Sequence, residues 1–109
     1  FVRSVEFEPE TKLEIIEKEA FEYSAVENLT LPKTIIQISI DAFANCPNLT
    51  SVEFLSEYVS IEDNAFNNAS SLCIHSFPNA SKISIENNAF SKVSKKFVLF
   101  VRPNVELLI

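Results

Sequence analysis

The sequence predicts an α/β solenoid, with a parallel β-sheet on one face and short α or 3₁₀ turns on the other. A repeated pattern, Ile-x-x-x-Ala-Phe, is the first reason: it occupies residues 16–21, 38–43, 61–66 and 85–90, and its phenylalanines stand 22, 23 and 24 residues apart. A unit of that length cannot enclose a core alone, so each must bury its side chains against the next. A second apolar series runs in step with the first: Val2, Val5 and Phe7; Val26, Leu29 and Leu31; Leu49, Val52 and Phe54; Leu72, His75 and Phe77; Phe97, Phe100 and Arg102. The third reason is size. A chain of 109 residues with 47% hydrophobic content builds one packed unit, not two ordinary domains.

Each repeat opens with a strand. In Ser51-Val52-Glu53-Phe54 the alternation turns Val52 and Phe54 inward and Ser51 and Glu53 outward, as a period of two requires. Strands are therefore expected at residues 4–7, 28–31, 51–54, 74–77 and 98–101, all parallel in one sheet. Pro32, Pro78 and Pro103 follow three of them, where a missing N–H ends the ladder. Beyond the turn, Ile35 and Ile38 mark a shorter strand on the other side of the coil.

The Ala-Phe element comes next. Asp41, Asn64 and Asn88 stand before it, and their side chains can accept from the N–H groups that open a helical turn, so a single turn of α or 3₁₀ helix is expected. Alanine lets neighbouring repeats approach. Phe21, Phe43, Phe66 and Phe90 are expected to stack into one buried aromatic spine.

Taken together, residues 38–54 read Ile-x-x-x-Ala-Phe-x-x-Cys-x-x-Leu-x-x-Val-x-Phe, and this resembles the repeat of the BspA-like leucine-rich-repeat proteins. The resemblance spans the chain as a leucine-rich-repeat solenoid: residues 1–109, about five repeats of 22–24 residues, truncated at both ends. The family commonly has glycine after the isoleucine, whereas this chain has Glu17, Ser39, Glu62 and Glu86 and no glycine at all. A left-handed conformation would be costly at those side chains, so the expectation is negative φ there. The family's cysteine column is held by Cys46, Ala69, Val93 and about Ser24, and asks for a small buried group. The chain opens on a strand column at Val2 and closes at Ile109, where another repeat would begin. Further repeats or caps are expected on both sides, since end rungs such as Phe1-Val2 and Leu107-Leu108-Ile109 would be sticky and open to end-to-end association.

Charge and composition exclude several functions. The net charge is −6, with eight acidic and three basic groups in residues 1–31 but five basic and one acidic in 82–102. A duplex nucleic acid needs a broad basic face, so no nucleic-acid partner is expected. Lys92, Lys95 and Lys96, the one basic cluster, read as a solvated loop. No apolar stretch is long enough for a transmembrane segment. Cys46 and Cys73 are too few for a disulfide framework and are expected to be free thiols that ligate no metal.

No enzyme chemistry is expected, and no cofactor. His75 takes an inward column and reads as a satisfied, half-buried core histidine, while Arg102 takes another and can snorkel to water. Glu62, Asp63, Glu17 and Glu19 are read as solvated turn charges rather than acid/base or metal carboxylates. A phosphate loop needs glycine, and there is none. Four N-x-S/T sequons make Asn28, Asn48, Asn68 and Asn79 candidate glycosylation sites, with Asn68 and Asn79 on turns the better acceptors. The remaining candidate is the outward strand face, assigned to Ser4, Glu6, Asn28, Thr30, Ser51, Glu53, Ile74, Ser76, Leu99 and Val101, which runs from polar to apolar along the solenoid. The resemblance implies a binding module displayed or secreted at the cell surface, with a protein ligand such as a host or matrix protein. The alternative is an intracellular, cytoplasmic scaffold for protein-protein interaction built from the same repeat.

Overall fold

A computed structural model describes residues 4–109; the column and end rung expected at Phe1 and Val2 lie outside the described residues. The chain coils into a parallel β-solenoid with two sheets. One contains β1 (Ile15–Ile16), β3 (Gln37–Ile38), β5 (Tyr58–Ile61), β7 (Lys82–Ile85) and β9 (Glu106–Leu108), in that order. The other contains β2 (Asn28–Leu31), β4 (Ser51–Phe54), β6 (Ile74–Phe77) and β8 (Val98–Val101). Consecutive strands of the chain alternate between the sheets, and every pairing is parallel.

The expected strands at 28–31, 51–54, 74–77 and 98–101 form as read, because each alternates inward and outward residues and finds a neighbour one repeat away. Three expectations need correction. Residues 4–7 keep the alternation, with Val5 and Phe7 half-buried against the core, but form no strand. They have a neighbouring rung on one side only among the described residues. The opposite side of the coil is a sheet of five strands in its own right, so the strands do not all lie in one sheet.

The third correction concerns the Ala-Phe element, which is no helix: a chain of tight turns takes its place among the described residues. Its N–H groups alternate between two destinations. Those of Ala20, Glu22 and Ser24 close turns onto the Glu17, Glu19 and Phe21 carbonyls, while those of Glu19, Phe21 and Tyr23 reach across to Ile40, Ala42 and Ala44 of the next rung. The same scheme recurs where Phe43 and Phe66 donate to Ala65 and Ala89, each at 2.8 Å. A continued helix would turn successive N–H groups back onto its own carbonyls, whereas here every second one goes to the next rung. Alternation requires the backbone to reverse hand, and Glu19, Asp41 and Asn64 before the phenylalanine, with Tyr23, Asn45, Asn68 and Lys92 after it, all have φ between 57° and 63°. Asp41 and Asn64 are thus left-handed turn residues rather than helix caps, a conformation that Asn and Asp tolerate best among residues with a side chain. Glu17, Ser39, Glu62 and Glu86 are not among the residues with positive φ, as expected.

Inside, side chains stack in columns. The rings of Phe21, Phe43, Phe66 and Phe90 follow one another at 5.2, 5.3 and 5.4 Å, with planes within 10° of parallel. Each such contact contributes roughly 0.5–1.5 kcal/mol beyond area burial. Phe43 and Phe66 are fully buried, whereas Phe21 and Phe90 are half-buried at the ends. A second aromatic stack joins Phe54 to Phe77 at 4.9 Å, between the aliphatic residues of the same column.

Candidate protein-binding face

The outward face of the β2-β4-β6-β8 sheet is built from two columns. Strand register aligns Asn28, Ser51, Ile74 and Val98 in one, and Thr30, Glu53, Ser76 and Phe100 in the other. At its polar end the face is held by side-chain bonds between rungs: the Asn28 Oδ1 accepts from the Ser51 hydroxyl at 2.6 Å and from the Thr50 hydroxyl at 3.1 Å. Asn28, Thr30, Ser51, Glu53, Ile74 and Ser76 line a shallow depression. At its other end the face is apolar, with Ile74 42%, Val98 46% and Phe100 54% exposed. Ser4 and Glu6 are exposed ahead of β2, outside the sheet.

Register corrects two members of the expected face. Leu99 pairs with His75 and Val101 with Phe77, so both continue inward columns, and the outward residues of β8 are Val98 and Phe100. The slip came from anchoring the last repeat on Phe97. In earlier repeats the anchoring leucine precedes the inward residue by three positions, Leu49 to Val52 and Leu72 to His75, but Phe97 precedes Leu99 by two. A one-residue slip exchanges the faces of a strand. The step from the spine phenylalanine to the inward residue is eight residues in the first repeat, 21 to 29, and nine in the later ones, 43 to 52, 66 to 75 and 90 to 99, and the later spacing would have found Val98 and Phe100. The opposite sheet has an outward feature that sequence reasoning missed: Ile36 and Tyr58, both exposed, border a depression with Lys82.

His75 is neither half-buried nor satisfied. It is fully enclosed, and neither ring nitrogen has a hydrogen-bond partner. Phe66 and Phe90 meet the imidazole edge-on at 4.6 and 4.8 Å, and Phe54, Phe77 and Phe97 close the cage. Burial lowers its pKa to about 3. The ring is therefore a neutral core residue, with no access for a substrate.

Other candidates are accounted for locally. Arg102 does not take the inward column expected of it, which Val101 continues; it lies exposed after β8 and donates to the Asn79 carbonyl at 3.4 Å. Lys92, Lys95 and Lys96 are exposed, as are Glu17 and Glu19. Glu62 and Asp63 are half-buried and link rungs rather than standing free in solvent: Glu62 accepts from the Gln37 amide at 3.4 Å, and Asp63 accepts from the Asn88 N–H at 3.2 Å. Both cysteines are free thiols. Cys46 is buried, its thiol pKa pushed up by desolvation, and its Sγ donates to the Phe21 carbonyl at 3.2 Å. No group of three or more metal-ligating side chains occurs among the described residues.

The sequons differ in a way their sequence did not suggest. The Asn68 Nδ2 donates to the Asn45 Oδ1 at 2.8 Å, and the Asn79 Nδ2 donates to the Leu55 carbonyl at 3.2 Å. These are the nitrogens a glycan would occupy, so both turn sites already use them to link rungs. Asn48 sits on an exposed turn after Pro47.

Among the described residues no helix is long and apolar enough to cross a membrane. Neither curated proteins nor solved structures give a match. The family model of the BspA type leucine rich repeat region, with six copies, matches residues 3–106. Leucine-rich repeats are protein-interaction scaffolds, in keeping with a face of irregular outward residues on uniform inward columns. The match covers nearly the whole sequence, so this chain belongs to the BspA type leucine-rich-repeat family.

Proposed function

We propose that this chain is a non-enzymatic protein-binding module of a cell-surface or secreted adhesin, and that it holds its ligand on the outward face of the β2-β4-β6-β8 sheet. One observation carries the reading. The inward columns are apolar from rung to rung except at His75, whereas outward positions change throughout, from Asn28 and Thr30 through Ser51 and Glu53 and Ile74 and Ser76 to Val98 and Phe100. Columns that must stack cannot vary freely, so specificity belongs to the side chains that do not stack. The apolar end supplies an aromatic anchor in Phe100 beside Ile74 and Val98, and the acidic and hydroxyl groups of the earlier rungs supply a polar rim.

The test uses beads coated with the chain and a surface of immobilised extracellular-matrix protein. Replacing Glu53, Ile74 and Phe100 together with lysine should abolish bead capture while leaving the circular dichroism spectrum unchanged. Leu99 is left alone because it faces the core. Capture that survives this change but is lost on altering Lys92, Lys95 and Lys96 would move recognition to the turns. Antibody labelling of intact cells tests the compartment: a signal only after permeabilisation would favour the intracellular scaffold.

A further inference from the structure

We propose that the segment held on the outward face of the β2-β4-β6-β8 sheet is a polyproline II helix crossing the strands, with a lysine or arginine on Glu53 and, three residues later, a proline on Phe100. The inference rests on that face being the binding site and names the chemistry it takes. Glu53, Ser76 and Phe100 are successive members of one outward column, on β4, β6 and β8. Parallel strands lie about 4.8 Å apart, so two steps of the column set the backbones at Glu53 and Phe100 about 9.6 Å apart.

A ligand that uses both anchors must repeat at that distance. A polyproline II helix rises about 3.1 Å per residue and turns once in three, so residues i and i+3 share a side about 9.3 Å apart. An extended strand shows the same side every second residue, at about 6.6–6.8 Å, which fits neither one rung nor two. An α-helix, with a pitch of about 5.4 Å, comes nearer but satisfies its backbone internally. Polyproline II leaves its carbonyls open, and the face has donors for them. Ser76 offers a hydroxyl between the two anchors. Asn28, whose Oδ1 already accepts from Ser51 and Thr50, keeps its amide N–H groups to donate.

Charge and apolar surface fix the direction. Glu53 is the one charged residue on the two outward columns, Glu6 is exposed ahead of β2, and the chain carries a net charge of −6, so the cation belongs at that end. At the other end Phe100, with Ile74 and Val98 beside it, gives the aromatic and apolar surface on which proline-rich segments dock. Ile74 has a strand on each side and is still 42% exposed, so the apolar surface belongs to the face and does not depend on the place of β8 in the sheet.

Fluorescence anisotropy of a labelled peptide, a run of prolines holding a single lysine, titrated with the 109-residue chain, tests the spacing. Glutamine in place of the third proline after the lysine should weaken binding about tenfold, while glutamine at the second or fourth should change it less than about twofold. Glu53→Lys should lose the lysine peptide and gain one with glutamate in its place, and Phe100→Ser should lose both; circular dichroism identical to the unaltered chain establishes that these variants fold. Binding indifferent to which proline is replaced, or a Glu53→Lys variant with unchanged preference, would overturn the proposal. If no peptide of the series binds while matrix-protein capture is still lost on replacing Glu53, Ile74 and Phe100 with lysine, the polyproline reading falls and the face stands. A peptide that binds that triple variant as well as the unaltered chain would overturn the face itself.

Discussion

The middle rungs and the last one are made from the same repeat, yet Phe66 is sealed on both sides while Phe90 is half-buried, and Phe77 is buried while Val101, the next residue of its column, stands exposed. Nothing in the local sequence separates them; position in the stack does. A solenoid rung owes its stability to two interfaces, and a rung with one partner keeps its backbone path but leaves its columns open. The same difference assigns roles. Where neighbours lie on both sides, an inward side chain is structural, and only outward side chains remain free to recognise something else.

The largest expected effect comes from opening the spine in the middle. Phe43→Ala or Phe66→Ala should destabilise by about 3–5 kcal/mol, a fully buried ring lost between two stacked neighbours. Phe21→Ala and Phe90→Ala should cost roughly half as much, since each ring has one stacked spine neighbour. Urea midpoints for the four variants check this, and equal losses would break the distinction between interior and end rungs.

His75 gives the next effect, and its sign follows from its burial. The folded pKa of about 3 lies below the ordinary value of 6.5, so the unfolded chain binds the proton more readily across that window. Stability should therefore be lost as pH falls through it, by about 1.4 kcal/mol per pH unit from this group. His75→Leu places in the column the residue type that Leu29 and Leu99 already use there and removes two unpaired nitrogens. It should stabilise by about 1–3 kcal/mol at neutral pH and flatten the acid limb of the stability curve. Chemical denaturation from neutral to acid pH tests both, and an unchanged acid limb in the variant would show that another group sets it.

Smaller effects belong to the turn ladder. Tyr23 takes a left-handed conformation at φ 63° that a bulky side chain tolerates poorly. Tyr23→Gly should therefore be stabilising by up to about 1 kcal/mol, partly offset by the greater freedom of glycine in the unfolded chain. Thermal melting measures it. The smallest effect is expected from Glu53→Lys, Ile74→Lys and Phe100→Lys, where exposed positions change stability by only about 0.5 kcal/mol each. A melting temperature that collapses in this triple variant would mean the outward face is part of the core.

How far the sequence could carry these conclusions depended on the range of the interaction involved. Strands at 28–31, 51–54 and 74–77 were legible because alternation and repeat spacing are both local patterns, and the spine was legible from one invariant dipeptide. The Ala-Phe element was misread as helical because its conformation is dictated by N–H groups of Phe21, Phe43 and Phe66 reaching another rung, which no local propensity records. The column of His75 was readable, but its enclosure by five aromatic rings depends on three successive rungs. In the last repeat a single residue of spacing between Phe97 and Leu99 was enough to exchange inward and outward residues, so the apolar end of the candidate face was found but its side chains were misnamed.

Among the described residues the three sides of the coil each carry one exposed aromatic residue, which provides a built-in reporter: Phe100 at 54% on the proposed face, Tyr58 at 55% on the opposite sheet and Tyr23 at 66% on the Ala-Phe edge. Hydroxyl-radical footprinting of the chain with and without bound matrix protein reads all three in one measurement. Binding on the β2-β4-β6-β8 face should protect Phe100, with Ile74 and Val98 beside it, and leave Tyr58 and Tyr23 oxidised as in the free chain. Protection of Tyr58 or Tyr23 with Phe100 unchanged would contradict the assignment and place recognition on the side of the coil that carries the protected ring.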